Sequence, residues 1–201
     1  MTWLQLVALG VTAFVATNLD DILLLVLFFS NSRYRARDVF IGQAIGIGFL
    51  VIISLFLSLV VSTILRPWVG ILGLLPVLIG AREMILRRHN ADDGGDAPRP
   101  SNKVLQLAPG RDRALAVAGV TVANGGDNLA VYTALFSTHS SSETIVLLQT
   151  FVILLLIWLY GVYYLVRRSA VADKIQRVGH AIFPYALIAL GIFIMIEGFR
   201  S

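Results

Sequence analysis

The sequence predicts an all-α, polytopic membrane protein with six transmembrane helices arranged as a 3+3 inverted repeat and both termini outside. Three observations predict it. The chain of 201 residues is 57% hydrophobic and only 14% charged, where a soluble domain has about 45–50% apolar and about 25% charged residues. Its apolar residues gather into six segments, roughly 3–30, 39–64, 68–86, 114–136, 144–166 and 182–199, each near or above the ~20 residues that span a bilayer. Its basic residues collect in alternate loops, which is the positive-inside pattern. Segments of this length cross as helices, since barrel strands need only about 9–11 residues.

The elements follow in order. Met1-Thr2-Trp3-Leu4 lacks the positive n-region of a signal peptide, so the first apolar run is expected to be a retained helix. The first loop carries Arg33, Arg35 and Arg37, and the second only Arg66. The third span holds Glu83, placed to pair with Arg87 one turn on. The third loop, about 87–113, carries Arg87, Arg88, Arg99, Lys103, Arg111 and Arg113. Its stretch from His89 to Pro100 is rich in Gly, Pro and Asp and reads as a solvated tether. It separates a first repeat (1–88) from a second (113–201), with 89–112 as cytoplasmic linker. The fourth loop, Ser137 to Glu143, has no basic residue, and the fifth carries Arg167, Arg168, Lys174 and Arg177. Odd loops are therefore cytoplasmic. The net charge of +4 belongs to this topology and does not indicate nucleic-acid binding. With no cysteine, neither a disulfide nor a thiolate ligand can form.

The two halves correspond. A shift of 107 residues brings Asp20 onto Asp127, Val15-Ala16 onto Val122-Ala123, and Phe29-Ser30 onto Phe136-Ser137. Asp21 then falls opposite Asn128, Gln43 has a near counterpart in Gln149, and Pro76 and Pro184 precede similar apolar runs. Three spans per half make the second half enter from the opposite side, an inverted-topology repeat with its polar interruptions in register.

Those interruptions are the candidate site. Asp20 and Asp21 break the first apolar run and Asp127 the fourth, and neither run contains Lys or Arg. A carboxylate at mid-bilayer costs about 2.5–3.5 kcal/mol on insertion scales, so a cation is expected to come to meet them. Thr17, Asp20 and Asp21 lie three and four apart, as do Asn124, Asp127 and Asn128, so each set projects from one helical face. Asp20, Asp21 and Asp127 are the candidate metal ligands, joined by the amides of Asn18, Asn124 and Asn128, with Thr17 as an additional one. Adjacent Gly125 and Gly126 mark a helix break that is tolerated at depth only where it lines a cavity or is buried by protein. Buried Asp and Asn can also stitch helices together, but three acids without a basic partner gain little from that role. The ligand set is hard and oxygen-based, which suits Mg²⁺, Ca²⁺ or Mn²⁺. His89, His139 and His180 lie in or near loops, so ligand chemistry alone does not indicate a soft ion.

Ala16-Thr17-Asn18-Leu19-Asp20-Asp21 followed by an apolar run to Phe28-Phe29-Ser30, taken with Thr121-Val122-Ala123-Asn124-Gly125-Gly126-Asp127-Asn128, resembles the cadmium resistance transporter family of the lysine-exporter superfamily. The resemblance covers essentially the whole chain. It implies a multi-pass protein of the cell membrane that exports a divalent metal such as cadmium, with Asn18, Asp20, Asp21, Asn124, Asp127 and Asn128 binding the ion. It implies no enzyme activity and no permanent cofactor: the metal is substrate, and the partners are the ion and the bilayer. Cadmium is close to calcium in size, so an oxygen cage can hold it. Alternating access about a midplane site is the expected mechanism, with protons as the counter-ion. A cationic amino-acid exporter of the same superfamily is the alternative. An intramembrane aspartyl protease, with two acids as a dyad, is the third reading, opposed by the extra Asp21, the repeat and the surrounding amides. A homodimer is the expectation for so small a helical unit.

Overall fold

Thr2 opens the first helix with a reciprocal cap. Its hydroxyl accepts from the Gln5 backbone N–H at 3.3 Å, and the Gln5 side-chain oxygen accepts from the Thr2 N–H at 2.9 Å. Two of the helix's orphan donors are satisfied in this way. Thr2→Ala is expected to cost about 1 kcal/mol, lowering the melting temperature in detergent by about 2–4 °C.

The computed structural model describes residues 2–19, 21–64, 66–92, 113–166 and 169–199, and every regular element among them is helical. Helix α1 (Trp3–Asn18) is followed, after Leu19, by α2 (Asp21–Ser30). Helix α3 (Ala36–Ile64) leads to a 3₁₀ segment (Arg66–Gly73) that continues as α4 (Leu74–Asp92). Then come α5 (Arg113–Asn124), α6 (Gly126–Ser137), α7 (Ser141–Val166) and α8 (Ser169–Gly198).

By length and apolarity Ala36–Thr63 and Ser141–Val166 can each cross a membrane as single helices. The other apolar stretches, Trp3–Asn18, Gly70–Arg82, Arg113–Asn124 and Pro184–Gly198, are shorter. For Trp3–Asn18 and Arg113–Asn124 the reason is local. The first and fourth apolar runs are divided at their polar motifs. The third opens as a 3₁₀ turn before Pro76, whose missing N–H is harmless in the first turn of α4. The last contains Pro184 within α8.

Two boundaries differ from the sequence reading. The segment expected to be the fifth loop is already helical from Ser169, because no Gly-Pro or Asn-Gly punctuation interrupts its helix formers before Pro184. Helix α4 runs beyond Arg88 to Asp92, and the rest of the expected linker, 93–112, lies outside the described residues. The side chains of Glu83 and Arg87, expected to pair, are also outside the description.

The helices pack in matched pairs. Helix α3 lies against α5 and α6, α7 lies against α1 and α2, and α4 with its 3₁₀ segment lies against α8. In lipid, helices associate through close packing and interhelical hydrogen bonds, and small residues let the backbones approach. Gly42 and Gly46 do this for α3. A Cβ on Gly42 would overlap the Ala114 carbonyl oxygen and stand 2.5 Å from Val117 Cβ, and one on Gly46 would stand 2.6 Å from Thr121 Cβ. Outward, α3 presents Ile41, Ile45, Phe49, Ile52, Phe56 and Leu59 fully or half exposed, the apolar face that lipid contact requires.

An aromatic floor fixes the centre. Phe151 of α7 packs against Phe14 of α1 at 5.7 Å and against Tyr132 of α6 at 4.7 Å between ring centroids. Trp158 meets Phe14 edge-on at 6.4 Å. Phe14 and Tyr132 are wholly buried, so α1 and α6 are held at the level of their polar motifs.

Candidate metal site

Both polar motifs sit at helix junctions. Helix α1 ends at Asn18, and Asp21 lies in the first turn of α2. Helix α5 ends at Asn124, Gly125 stands between with φ −81° and ψ 30°, and Asp127 lies in the first turn of α6. The interruption on this side is confined to one residue: Gly126 is already helical, and the Leu129 N–H reaches the Gly125 carbonyl at 2.9 Å. Leu19, with φ −65° and ψ −36°, makes the other junction without a glycine. Each acid thus begins a new helix, where free N–H groups and the helix dipole favour negative charge. The expectation for Asp20 falls on a residue outside those described.

Asp21 is buried at 1% exposure, and two amides hold it. Asn124 Nδ2, from α5, donates to Asp21 Oδ1 at 3.0 Å, and Gln43 Nε2, from α3, donates to Oδ2 at 3.0 Å. Thr121 Oγ1 donates to Gln43 Oε1 at 2.6 Å. Hydrogen bonds to a charged group are worth about 1.5–3 kcal/mol, so this clamp offsets much of the cost of burying the carboxylate.

A second group forms where α1 meets α6. Asn18 Nδ2 donates to the Phe14 carbonyl at 2.8 Å and to Tyr132 Oη at 3.0 Å, and lies 3.4 Å from Asn128 Oδ1. Thr17 Oγ1 lies 3.1 Å from the same tyrosine oxygen. Thr17, Asn18 and Asn128 are all buried. Asn18 Oδ1 is buried and has no hydrogen-bond partner among the described residues. An orphaned buried acceptor costs about 1–3 kcal/mol, a cost that an arriving cation would remove. Asp127 is half buried.

The structure therefore brings Asp21 to Asn124, and Asn18 to Asn128 and Thr17. Among the described residues, no three His, Cys, Asp or Glu side chains converge: the oxygens near Asp21 are mostly amides and hydroxyls. Three contributors went unread as site residues in the sequence, and each had a signal. Gln43 is a costly polar residue in an apolar span between two glycines, Thr121 lies one turn before Asn124, and Tyr132 lies one turn after Asn128. Gln149, aligned near Gln43 by the repeat, is exposed and does not enter the site.

No curated protein and no solved structure matches the chain. The model of one family, described as the cadmium resistance transporter, matches residues 14–200, which include every residue of both polar motifs. The chain thus belongs to the cadmium resistance transporter family, and it is a membrane transporter rather than an enzyme.

Proposed function

We propose that this transporter exports a divalent cation, cadmium or an ion of similar size, from the cytoplasm across the cell membrane. The ion binds between Asp21, Asp127, Asn18, Asn124 and Asn128, with Asp20 as the third acid and Thr17 beside them. The observation that carries the reading is the Asp21 carboxylate, buried and held by two amides, three residues after Asn18 with its orphaned oxygen. Oxygen donors of this kind suit a Ca²⁺-sized ion, and membership in the family supplies the metal.

Transport proceeds by alternating access, with two three-helix repeats of opposite orientation moving about the site. The packing supports this: α1 and α2 lie on α7 as α5 and α6 lie on α3, each pair linking the first span of one half to the second span of the other. Protons returning on the emptied carboxylates balance the exported charge.

Purified protein in proteoliposomes tests the proposal. Saturable Cd²⁺ flux, competed by Ca²⁺ or Mn²⁺ but not by lysine, and stimulated by an opposing pH gradient, is expected. Lysine flux without metal flux would replace the reading with that of an amino-acid exporter. Metal flux indifferent to the gradient would remove its proton half.

A further inference from the structure

We propose that Gln43 and Thr121 are positioning residues that set the Asp21 carboxylate for the ion, a deepening that rests on reading Asp21 as a ligand. The inference starts from the ambiguity of a glutamine amide. Its two ends have nearly the same shape and opposite polarity. Turned one way, Gln43 gives Asp21 an N–H donor; turned the other way, it sets a carbonyl oxygen against the carboxylate and repels it.

The carboxylate decides between the two, and Thr121 secures the choice. Its Oγ1 lies 2.6 Å from Gln43 Oε1 and 3.0 Å from the Val117 carbonyl. Both neighbours are acceptors, and a hydroxyl has a single hydrogen. With Nε2 turned to Asp21 Oδ2 at 3.0 Å, the hydroxyl hydrogen goes to the closer acceptor, Oε1, and holds the amide in that orientation. Asn124 holds the other oxygen at 3.0 Å. With each carboxylate oxygen tied to a different helix, the group cannot turn about its terminal torsion, and its remaining lone pairs keep one orientation.

The helix packing supports this role. Gln43 and Thr121 are each 2% exposed, and glycines flank the contact. Gly42 accommodates Ala114 and Val117, and Gly46 accommodates Thr121 itself. Side chains at those positions would push α3 from α5 and separate the hydroxyl from the amide. No glutamine takes the matching place in the second half. The position matching Gln43 under the same shift is Thr150, whose hydroxyl bonds its own helix at the Val146 carbonyl, 2.8 Å away. The acid's counterpart there is the neutral Asn128, which has no charge to hold in place. The clamp is built on Asp21, with Gln43 from the first half and Thr121 and Asn124 from the second.

Partners that orient a ligating group typically account for about 10–100-fold in metal affinity. Titrating Cd²⁺ calorimetrically into the full-length protein in detergent tests the proposal on Thr121→Val, Thr121→Ser and Gln43→Met, with the melting temperature of each metal-free protein recorded alongside. Thr121→Val and Gln43→Met are expected to bind at least ~10-fold more weakly with near-wild-type melting, and Thr121→Ser to stay within about 2-fold of wild type. Equal weakening in the serine and valine variants would show a packing role and overturn the proposal, as would wild-type affinity in Thr121→Val. Should Thr121→Val not fold, Gln43→Met decides by the same criterion. Asp21→Asn separates the two levels. Wild-type affinity in that variant overturns the site reading together with this inference, whereas loss there with normal binding in Thr121→Val overturns this inference alone.

Discussion

Asp21→Asn is expected to abolish metal transport and to weaken metal binding by about 100-fold or more, equivalent to about 2.8 kcal/mol. The substitution keeps the shape of the side chain and removes two properties. It deletes a negative charge from a site whose other described oxygens are largely neutral. It also replaces one acceptor oxygen by a donor, in a place where Asn124 Nδ2 and Gln43 Nε2 both point donors at the side chain from 3.0 Å. One of these N–H groups must then face another N–H, at about 1–3 kcal/mol, unless an amide turns over. Turning Gln43 over would give up the 2.6 Å hydrogen bond from Thr121 to its oxygen and send the hydroxyl hydrogen to the Val117 carbonyl at 3.0 Å. Two assays check the result. Flux in proteoliposomes should fall to background. Added Cd²⁺, which stabilises any protein that binds it in the folded state, should raise the melting temperature of the wild type and leave that of the variant unmoved. Asp127→Asn should also lose transport, since Asp127 starts the matching helix on the other side of the site; retained flux there would remove Asp127 from the ligand set.

Gly42→Leu is expected to have the largest effect on the fold itself. Val117 and the Ala114 carbonyl occupy the space where even a Cβ would go. A backbone carbonyl in a packed helix cannot step aside, so α3 and α5 must separate. Overpacking of this kind costs about 1–3 kcal/mol or more, and in lipid no hydrophobic gain between helices offsets it. Gln43 is the next residue, so its hydrogen bonds to Asp21 and Thr121 should break as well. Melting in detergent should fall by several degrees, and transport should be lost in parallel. Gly48 on the same helix is the control: nothing lies within 4 Å of its would-be Cβ, and Gly48→Ala should leave both properties unchanged.

The motifs that matter were visible in the sequence because burying them is costly. An acid or amide in an apolar run stands out against its neighbours, and Asp21, Asn124 and Asn18 were singled out as candidates in this way. The helical fold was legible for the same reason, since runs such as those of α3 and α7 have few alternatives in a bilayer. The parts that were missed have weaker signatures. Leu19 makes its junction with ordinary helical dihedral angles, so no glycine or proline announces it. Thr121 and Tyr132 are residues that spans commonly contain, and only the crossing of α3 with α5, and of α1 with α6, turns them into partners. Gln43 was noticed as a matched position, but its mate Gln149 is exposed: sequence alignment of two halves records position, not the face on which a side chain emerges. The extension of α8 back to Ser169 was hidden by charge, because Lys174 and Arg177 read equally well as loop and as helix.

Crystals grown with cadmium would test the site most directly, through a single anomalous-difference map. The expected result is one dominant peak between the α1–α2 and α5–α6 junctions, with carboxylate oxygens of Asp21 and Asp127 and the Asn18 Oδ1 at about 2.3–2.6 Å. A dominant peak elsewhere, such as on Asp92, Asp93 and Asp96, with none at the junctions, would contradict it.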